Sequence, residues 1–322
     1  MPSVARAQVK EVPFSLDFRI YGGNSPFFVG EESGINKDLG LSLKLDGAPG
    51  SAEAVRRVAS GTHTFAFADI ATLIEFSARN PGQAPKLLLS IFDDFPACLI
   101  SLDKKPLASL KDLEGARIGI GAASAATKIV PVLLETNGFD SKKVNFVTVD
   151  VKIRDSMLLR GAVDAVIGFD YTSVFNLLEA GVALSSVRFF YFSQLGFDFP
   201  SNSLIASRSI VDSDPDLCKR VTLATARAWK AACKDPSAAA TTVHNRDQLL
   251  QIPVERQRLE WVRDKHILTE NVRNNGLGHL DPTRMENGNK LLQKGLELSV
   301  APKLSDYYDD RFLPDASELK MI

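Results

Sequence analysis

The segment GARIGIGAASAATK, residues 115–128, decides how the rest of the chain is read. It has the form of a strand that runs into a glycine turn and then a helix. Gly119-x-Gly121-x-x-Ser124 is close to the dinucleotide pattern G-x-G-x-x-G, and Asp150 ends the next strand, where an acid would bond a ribose. Against that reading, the third glycine, which lets helix and strand pack closely, is replaced by Ser124. Only one further strand–helix–strand step, ending at Asp170, follows before residues 201–207, which leaves little room for a six-stranded nucleotide sheet. A smaller ligand uses the same physics. Amides at a helix start are unpaired and carry the positive end of the helix dipole. Residues 122–127 would offer such amides, with the hydroxyls of Ser124 and Thr127, to a small anion or carbonyl oxygen.

Working outward, residues 17–75 and 115–176 share one order of elements. DFRIYGGNSPFFVGEESG reads as strand, turn and a helix closed by Gly34, and ARIGIGAASAATKIVPVLLETNG as strand, turn and a helix closed by Gly138. Each half continues with a strand (41–47; 144–150), a short amphipathic helix ending in glycine (52–61; 154–161) and a strand ending in Asp69 or Asp170. Alternation at these spacings predicts parallel sheets built from right-handed βαβ units, hence two similar α/β lobes. Pro131 falls inside the second lobe's first helix and predicts a kink there. Residues 97–103 and 201–207 are extended and mark where the chain crosses between lobes. Residues 208–322 read as mainly helical and are expected to pack on lobe 1.

Composition narrows the function classes. The 322 residues carry 38 Lys+Arg against 39 Asp+Glu, a formal net charge of −1, with no basic tract of the kind that tracks nucleic acid. No apolar run is long enough to cross a bilayer. Cys98, Cys218 and Cys233 are too few and too scattered for a disulfide framework or a CxxC site. His63, His244, His266 and His279 show no ligand spacing, and neither G-x-S-x-G nor H-E-x-x-H occurs. Ala5-Arg6-Ala7 before Gln8 fits the small-residue pattern of a signal-peptidase site, so residues 1–13 are expected to be a signal-peptide remnant or a flexible N-terminus.

The runs FRIYGGNSPFFVGEESGI, DGAPGSAEAVRRVASGTHTFAFAD, LKDLEGARIGIG and LLRGAVDAVIG resemble the solute-binding proteins of ABC importers, nearest to the group serving sulfonates and thiamine-pyrimidine precursors. The resemblance covers roughly residues 14–210, with a looser echo in LSDYYDDRFLP. It implies the type II periplasmic-binding fold, with two α/β lobes (14–103 with 204–322, and 104–203) joined by two crossover strands around a ligand cleft. It also implies a receptor rather than an enzyme: a periplasmic or otherwise exported monomer that needs no cofactor. Such a receptor would capture a pyrimidine-like, aromatic or sulfonate solute by hinge closure and pass it to a membrane permease. Binding positions carried over by the resemblance are Tyr21, Gly23, Asn24, Ser25, Gly50, Ser51 and Asp69 in lobe 1. In lobe 2 they are Ala123, Ser124, Thr127, Lys152, Phe169, Asp170 and Tyr171. Ser51, Ser124, Asp69 and Asp170 also suit plain helix capping. Phe27, Phe28, Phe92, Phe95, Phe197 and Phe199 are further candidates to line the site, and Lys128 to approach an anion. Asp93 and Asp94 join Asp69 and Asp170 as acceptors for ring N–H groups, the ligand class slightly favoured. Some relatives of this group make a pyrimidine with their own histidine and a cysteine-rich motif, and this chain has no such motif. That enzyme and an NAD-dependent oxidoreductase built on Gly119, Gly121 and Asp150 are the alternatives.

Overall fold

The computed structural model describes residues 9–107, 109–121 and 125–321; Ala123, Ser124 and the signal-peptidase pattern lie outside them. The strands are β1 (Lys10–Ser15), β2 (Leu41–Asp46), β3 (Phe65–Asp69), β4 (Lys86–Ser90), β5 (Ala97–Leu102), β6 (Arg117–Gly121), β7 (Asn145–Val149), β8 (Ala165–Phe169), β9 (Val187–Tyr191) and β10 (Asn202–Ala206). They form two five-stranded sheets, ordered β2-β1-β3-β10-β4 and β7-β6-β8-β5-β9. In the first, β10 is antiparallel to both neighbours; in the second, β5 is. The remaining strands of each sheet run one way. The two orders are one pattern written twice, which is the internal repeat seen in the sequence. Neither is the 3-2-1-4-5-6 order of a dinucleotide-binding sheet.

Strands buried on both faces need near-continuous apolar runs, and FAFAD of β3 and NSLIA of β10 are buried along their whole length. The first strand differs from the sequence expectation. It is KEVPFS at 10–15, with Val12 and Phe14 buried, while DFRIY is the loop that follows. Pro13 is tolerated because β3 joins β1 only from Phe14 onward, so the ladder asks no N–H of it on that side.

Contacts divide the chain into two compact units. One takes in the chain to Ile91, Asn202–His279 and Tyr307 onward; the other is Phe92–Ser201 with Leu280–Asp306. In the first unit, helices α1 (Ser25–Glu32), α2 (Ser51–Ala59) and α3 (Ile70–Arg79) follow β1, β2 and β3. In the second, α4 (Ala125–Thr136), α5 (Arg154–Leu159) and α6 (Asp170–Glu179) follow β6, β7 and β8. Pro131 does fall inside α4. The first unit adds α7 (Pro215–Lys234), α8 (Pro236–Arg246) and α9 (Ile252–Val262). Asp214 and Asp235 cap α7 and α8, each just before a proline. Trp229 of α7 is fully buried against Phe27 and Phe67, and Phe27 also packs on Phe14 at 4.7 Å between ring centroids. Phe27 is thus core of the first unit. Phe28 is buried with the Arg246 guanidinium over its ring.

Helix α10 (Pro282–Gly295) belongs to the second unit, whereas the sequence reading put all of 204–322 with the first. The reason is local. Gly288 and Gly295 leave no room for a side chain: a Cβ would lie 2.1 Å from the Phe199 ring at one and 2.7 Å from the backbone of Ile129 at the other. That absence of side chains lets α10 lie directly on α4. Near its start, Arg284 donates to Asp93 Oδ1 at 2.8 Å and to Asp198 Oδ1 at 2.7 Å, tying together the chain just after β4 and just before β10. Arg284→Ala is expected to cost about 1–3 kcal/mol, the penalty of removing one partner from a buried carboxylate. Calorimetric unfolding of the variant would read it.

Candidate functional site

In open α/β sheets the carboxyl ends of the parallel strands are where chemistry-bearing residues gather. In the first unit β1 ends at Ser15, and the chain passes Asp17 before a tight turn at Gly22–Asn24 leads into α1. Asp17 is only 5% exposed. Its carboxylate accepts from Tyr21 Oη at 2.9 Å, Asn202 Nδ2 at 2.9 Å and Asn24 Nδ2 at 3.4 Å. Asn24 also closes the turn: its Oδ1 accepts from the Tyr21 amide, and its Nδ2 donates to the Arg19 carbonyl. Ser25 Oγ donates back to the Gly22 carbonyl. Three neutral donors do not offset removal from water, so burial pushes the Asp17 carboxyl up to about 6. Among the described residues no lysine or arginine forms an ion pair with it.

Asn202 opens β10 directly opposite Asp69, which ends β3. Asp69 caps α3, accepting from the Thr72 amide and hydroxyl at 2.9 Å each, and its own amide donates to Ser51 Oγ at 3.1 Å. Ser51 therefore fastens α2 to the end of β3 rather than capping its own helix. Gly50 before it has φ 154°, a backbone region open in practice to glycine alone. Tyr21, Gly23, Asn24 and Ser25 thus share one turn, and Gly50, Ser51 and Asp69 share a second junction on the same sheet edge. Tyr21, Asn24 and Asp69 are buried and engaged with the protein itself.

In the second unit, Thr127 lies in the first turn of α4. It is 8% exposed, and its hydroxyl is buried with no hydrogen-bond partner among the described residues. A buried unpaired hydroxyl costs about 1–3 kcal/mol on mutational scales, so such groups ordinarily have a partner. Ala123 and Ser124, expected beside it, lie outside the described residues. Lys152 is exposed and its amide donates to Asp150 Oδ1, which occupies the acid of the dinucleotide reading with a local turn. Asp170 is fully buried at the end of β8. Its amide donates to the Pro96 carbonyl, and its carboxylate accepts from the Tyr171 amide at 2.6 Å and Tyr191 Oη at 2.8 Å. Burial, and then the Asp170 charge, raise the Tyr191 phenol far above its usual range, so it stays a donor.

Around Asp170 is an aromatic cluster. Phe95 meets Phe169 at 5.8 Å and Phe197 at 4.8 Å, Tyr171 meets Phe92 at 5.5 Å and Phe169 at 5.7 Å, and Phe197 meets Phe199 at 5.3 Å. Most are edge-on or tilted, the arrangements aromatic quadrupoles prefer. All are buried except Phe169, which is half-buried. Sequence reasoning missed Asp17 and Asn202, which bond each other in the first unit, and Tyr191, which bonds Asp170 in the second. The only local signal of the first two is an acid or amide beside a strand end, and Tyr191 looks like any strand aromatic.

Among the described residues no group of three or more His, Cys, Asp or Glu side chains is placed to hold a metal ion. Burial pushes the thiols of Cys218 and Cys233 up to about 12, so both are protonated at neutral pH.

Comparison with known proteins bears on the whole chain. The profile of the NMT1/THI5-like family matches residues 23–239. The riboflavin-binding protein RibY of Chloroflexus aurantiacus is 20% identical over 302 residues, covering 91% of this chain and 83% of RibY. The periplasmic aliphatic sulphonate-binding protein SsuA of Escherichia coli superposes with a TM-score of 0.71 at 12% identity, over 91% of this chain and 94% of SsuA. The desulfurization enzyme DszB superposes with a TM-score of 0.62 at 15% identity, over 95% of this chain and 99% of DszB. The likeness to the last two is one of fold.

Proposed function

This chain belongs to the NMT1/THI5-like family and has the periplasmic-binding-protein fold, and from that premise we propose that it is the solute-binding component of an ABC importer. Its solute is a small organic molecule with a flat ring that presents N–H donors. The observation that carries this reading is Asp17. A carboxylate taken out of water and surrounded only by neutral donors is costly to keep ionised. Perturbed carboxylates gather at functional sites, and we read the partner that completes this one as a donor on the ligand. RibY, whose name gives riboflavin as its ligand, fits the same description of a flat ring bearing N–H; SsuA and its sulfonates mark the other ligand class the fold accommodates.

In this reading the protein acts outside the cytoplasm as a monomer, closes about its hinge on the solute and delivers it to a membrane permease. The ligand supplies the difference in free energy between open and closed populations.

Equilibrium dialysis against riboflavin and against MOPS, in separate cells, tests the ligand class. Uptake of riboflavin approaching one molecule per chain, with none of MOPS, is the expected result. Uptake of MOPS alone would overturn the ring-with-donors assignment. Consumption of biphenyl-2-sulfinate, the compound bound by a DszB variant, would overturn the receptor reading in favour of an enzyme on this fold.

A further inference from the structure

Helix α9 reaches the Tyr21–Asn24 turn with two charged residues one turn apart, Glu255 and Arg258. Glu255 is fully buried and Arg258 is 2% exposed. Arg258 Nε donates to Glu255 Oε2 at 2.9 Å, and its Nη2 donates to Oε1 at 3.3 Å. The same Oε2 accepts the backbone N–H of Gly22. The Arg258 guanidinium carbon lies 5.6 Å from the centroid of the Tyr21 ring, within cation–π range. Gly22 is pressed so close to α9 that a Cβ there would stand 2.2 Å from the Glu255 carbonyl oxygen. One pair of side chains therefore grips the turn at two successive residues, by the Tyr21 ring and by the Gly22 amide. Tyr21 Oη in turn donates to Asp17.

A fully buried ion pair is poor evidence of a stabilising device, because desolvation consumes most of the attraction and a well-packed apolar pair is often no worse. Its use is better sought in what it orients. We propose that Glu255 and Arg258 are positioning residues that preset the Tyr21–Asn24 turn, and through Tyr21 the Asp17 carboxylate, for solute. The role in binding rests on the function proposed above; the presetting of the turn does not, and it is measured without any ligand. The groups that face Asp17 are Tyr21, Asn24 and Asn202, with the Arg258–Glu255 pair against the Tyr21 ring.

The decisive variant is Glu255→Met/Arg258→Met, which removes both charges together and keeps the volume. Glu255→Gln/Arg258→Met is its conservative partner, because the amide oxygen still accepts from Gly22. In the Met/Met protein, amide exchange at Gly22 is expected to accelerate at least tenfold while the amides of β1 and α7 keep their rates. The Gln/Met protein is expected to fall between it and the parent. The Asp17 carboxyl, followed by carbon-13 NMR, is expected to move its midpoint by half a unit or more in the Met/Met protein, a readout that mere filling of the core would not shift. Unchanged exchange at Gly22 in both variants, or an unmoved Asp17 midpoint, overturns the proposal. So does equal acceleration throughout the first unit, which would make the pair a general fastener. Riboflavin affinity should fall about tenfold in the Met/Met protein. Failure of riboflavin to bind the parent would count against the proposed function and leave the exchange result to decide the positioning role.

Discussion

Glu255→Ala alone is expected to destabilise the protein by about 3–5 kcal/mol, the cost of leaving one member of a buried ion pair without its partner. Arg258, 2% exposed, would then lose the carboxylate it is paired with, and the Gly22 amide would lose its acceptor at the same time. The paired replacement described above should cost far less than either single one, since it removes the stranded charge. Urea unfolding of Glu255→Met, Arg258→Met and the Glu255→Met/Arg258→Met variant closes a double-mutant cycle. A double variant clearly more stable than either single one is the expected sign of coupling; simple addition of the two losses would mean that the residues do not act as a pair.

Asp17→Asn is expected to make the protein more stable near neutral pH and worse at its task. The folded-state carboxyl titrates near 6 against a reference of 3.8, and burial is the main cause. For an acid raised in this way, the protonated form favours the fold. Its contribution is complete below about 3.8 and is lost as pH rises through about 6. A shift of that size corresponds to roughly 3 kcal/mol across the window. Asparagine removes the charge, but its own N–H donors would face those of Asn24 or Asn202, so a net gain of about 1–2 kcal/mol above pH 7 is the expected outcome. Stability measured from pH 4 to 7.5 should lose the part of its fall that the parent shows over that range. Solute affinity should drop at least tenfold, because the ligand's donor no longer meets a carboxylate. A variant with the parent's pH profile would mean that Asp17 is already neutral in the parent or already paired.

Much of the architecture was legible because its signals are local. Glycine after a helix and aspartate at a strand's end recur in both halves; β3 ends at Asp69 as read, and β8 ends one residue before Asp170. The first strand was misplaced because Lys10, Glu11 and Pro13 interrupt its apolar run, while DFRIY carries the stronger β-forming residues. Placing a strand there also hid Asp17, which then looked like a residue on a strand rather than the first buried acid of a loop. The remaining site residues were invisible for a different reason. Asn202 meets Asp17 across 185 positions, and Glu255 meets Gly22 across 233. A single sequence carries no trace of such pairings. The seat of α10 depended on Gly288 and Gly295, two gaps in a helix face whose meaning appears only once Phe199 and Ile129 are found in them. The aromatics divided in the same way: Phe27 fills the core behind α1, while Phe169 ends a strand and is half-buried.

The central claim is that the chain is a receptor for a small solute. A thermal-shift panel on unfolded and refolded, ligand-free protein tests it most directly, with riboflavin, a pyrimidine, an alkanesulfonate, an aromatic carboxylate, amino acids and NAD as separate additions. A ligand at a hundred times its dissociation constant stabilises the folded state by about 2.7 kcal/mol, enough to move the midpoint visibly. A shift with one class of flat, N–H-bearing ring and none with NAD is the result this account predicts. A shift with NAD alone, or no shift across the whole panel, would contradict it.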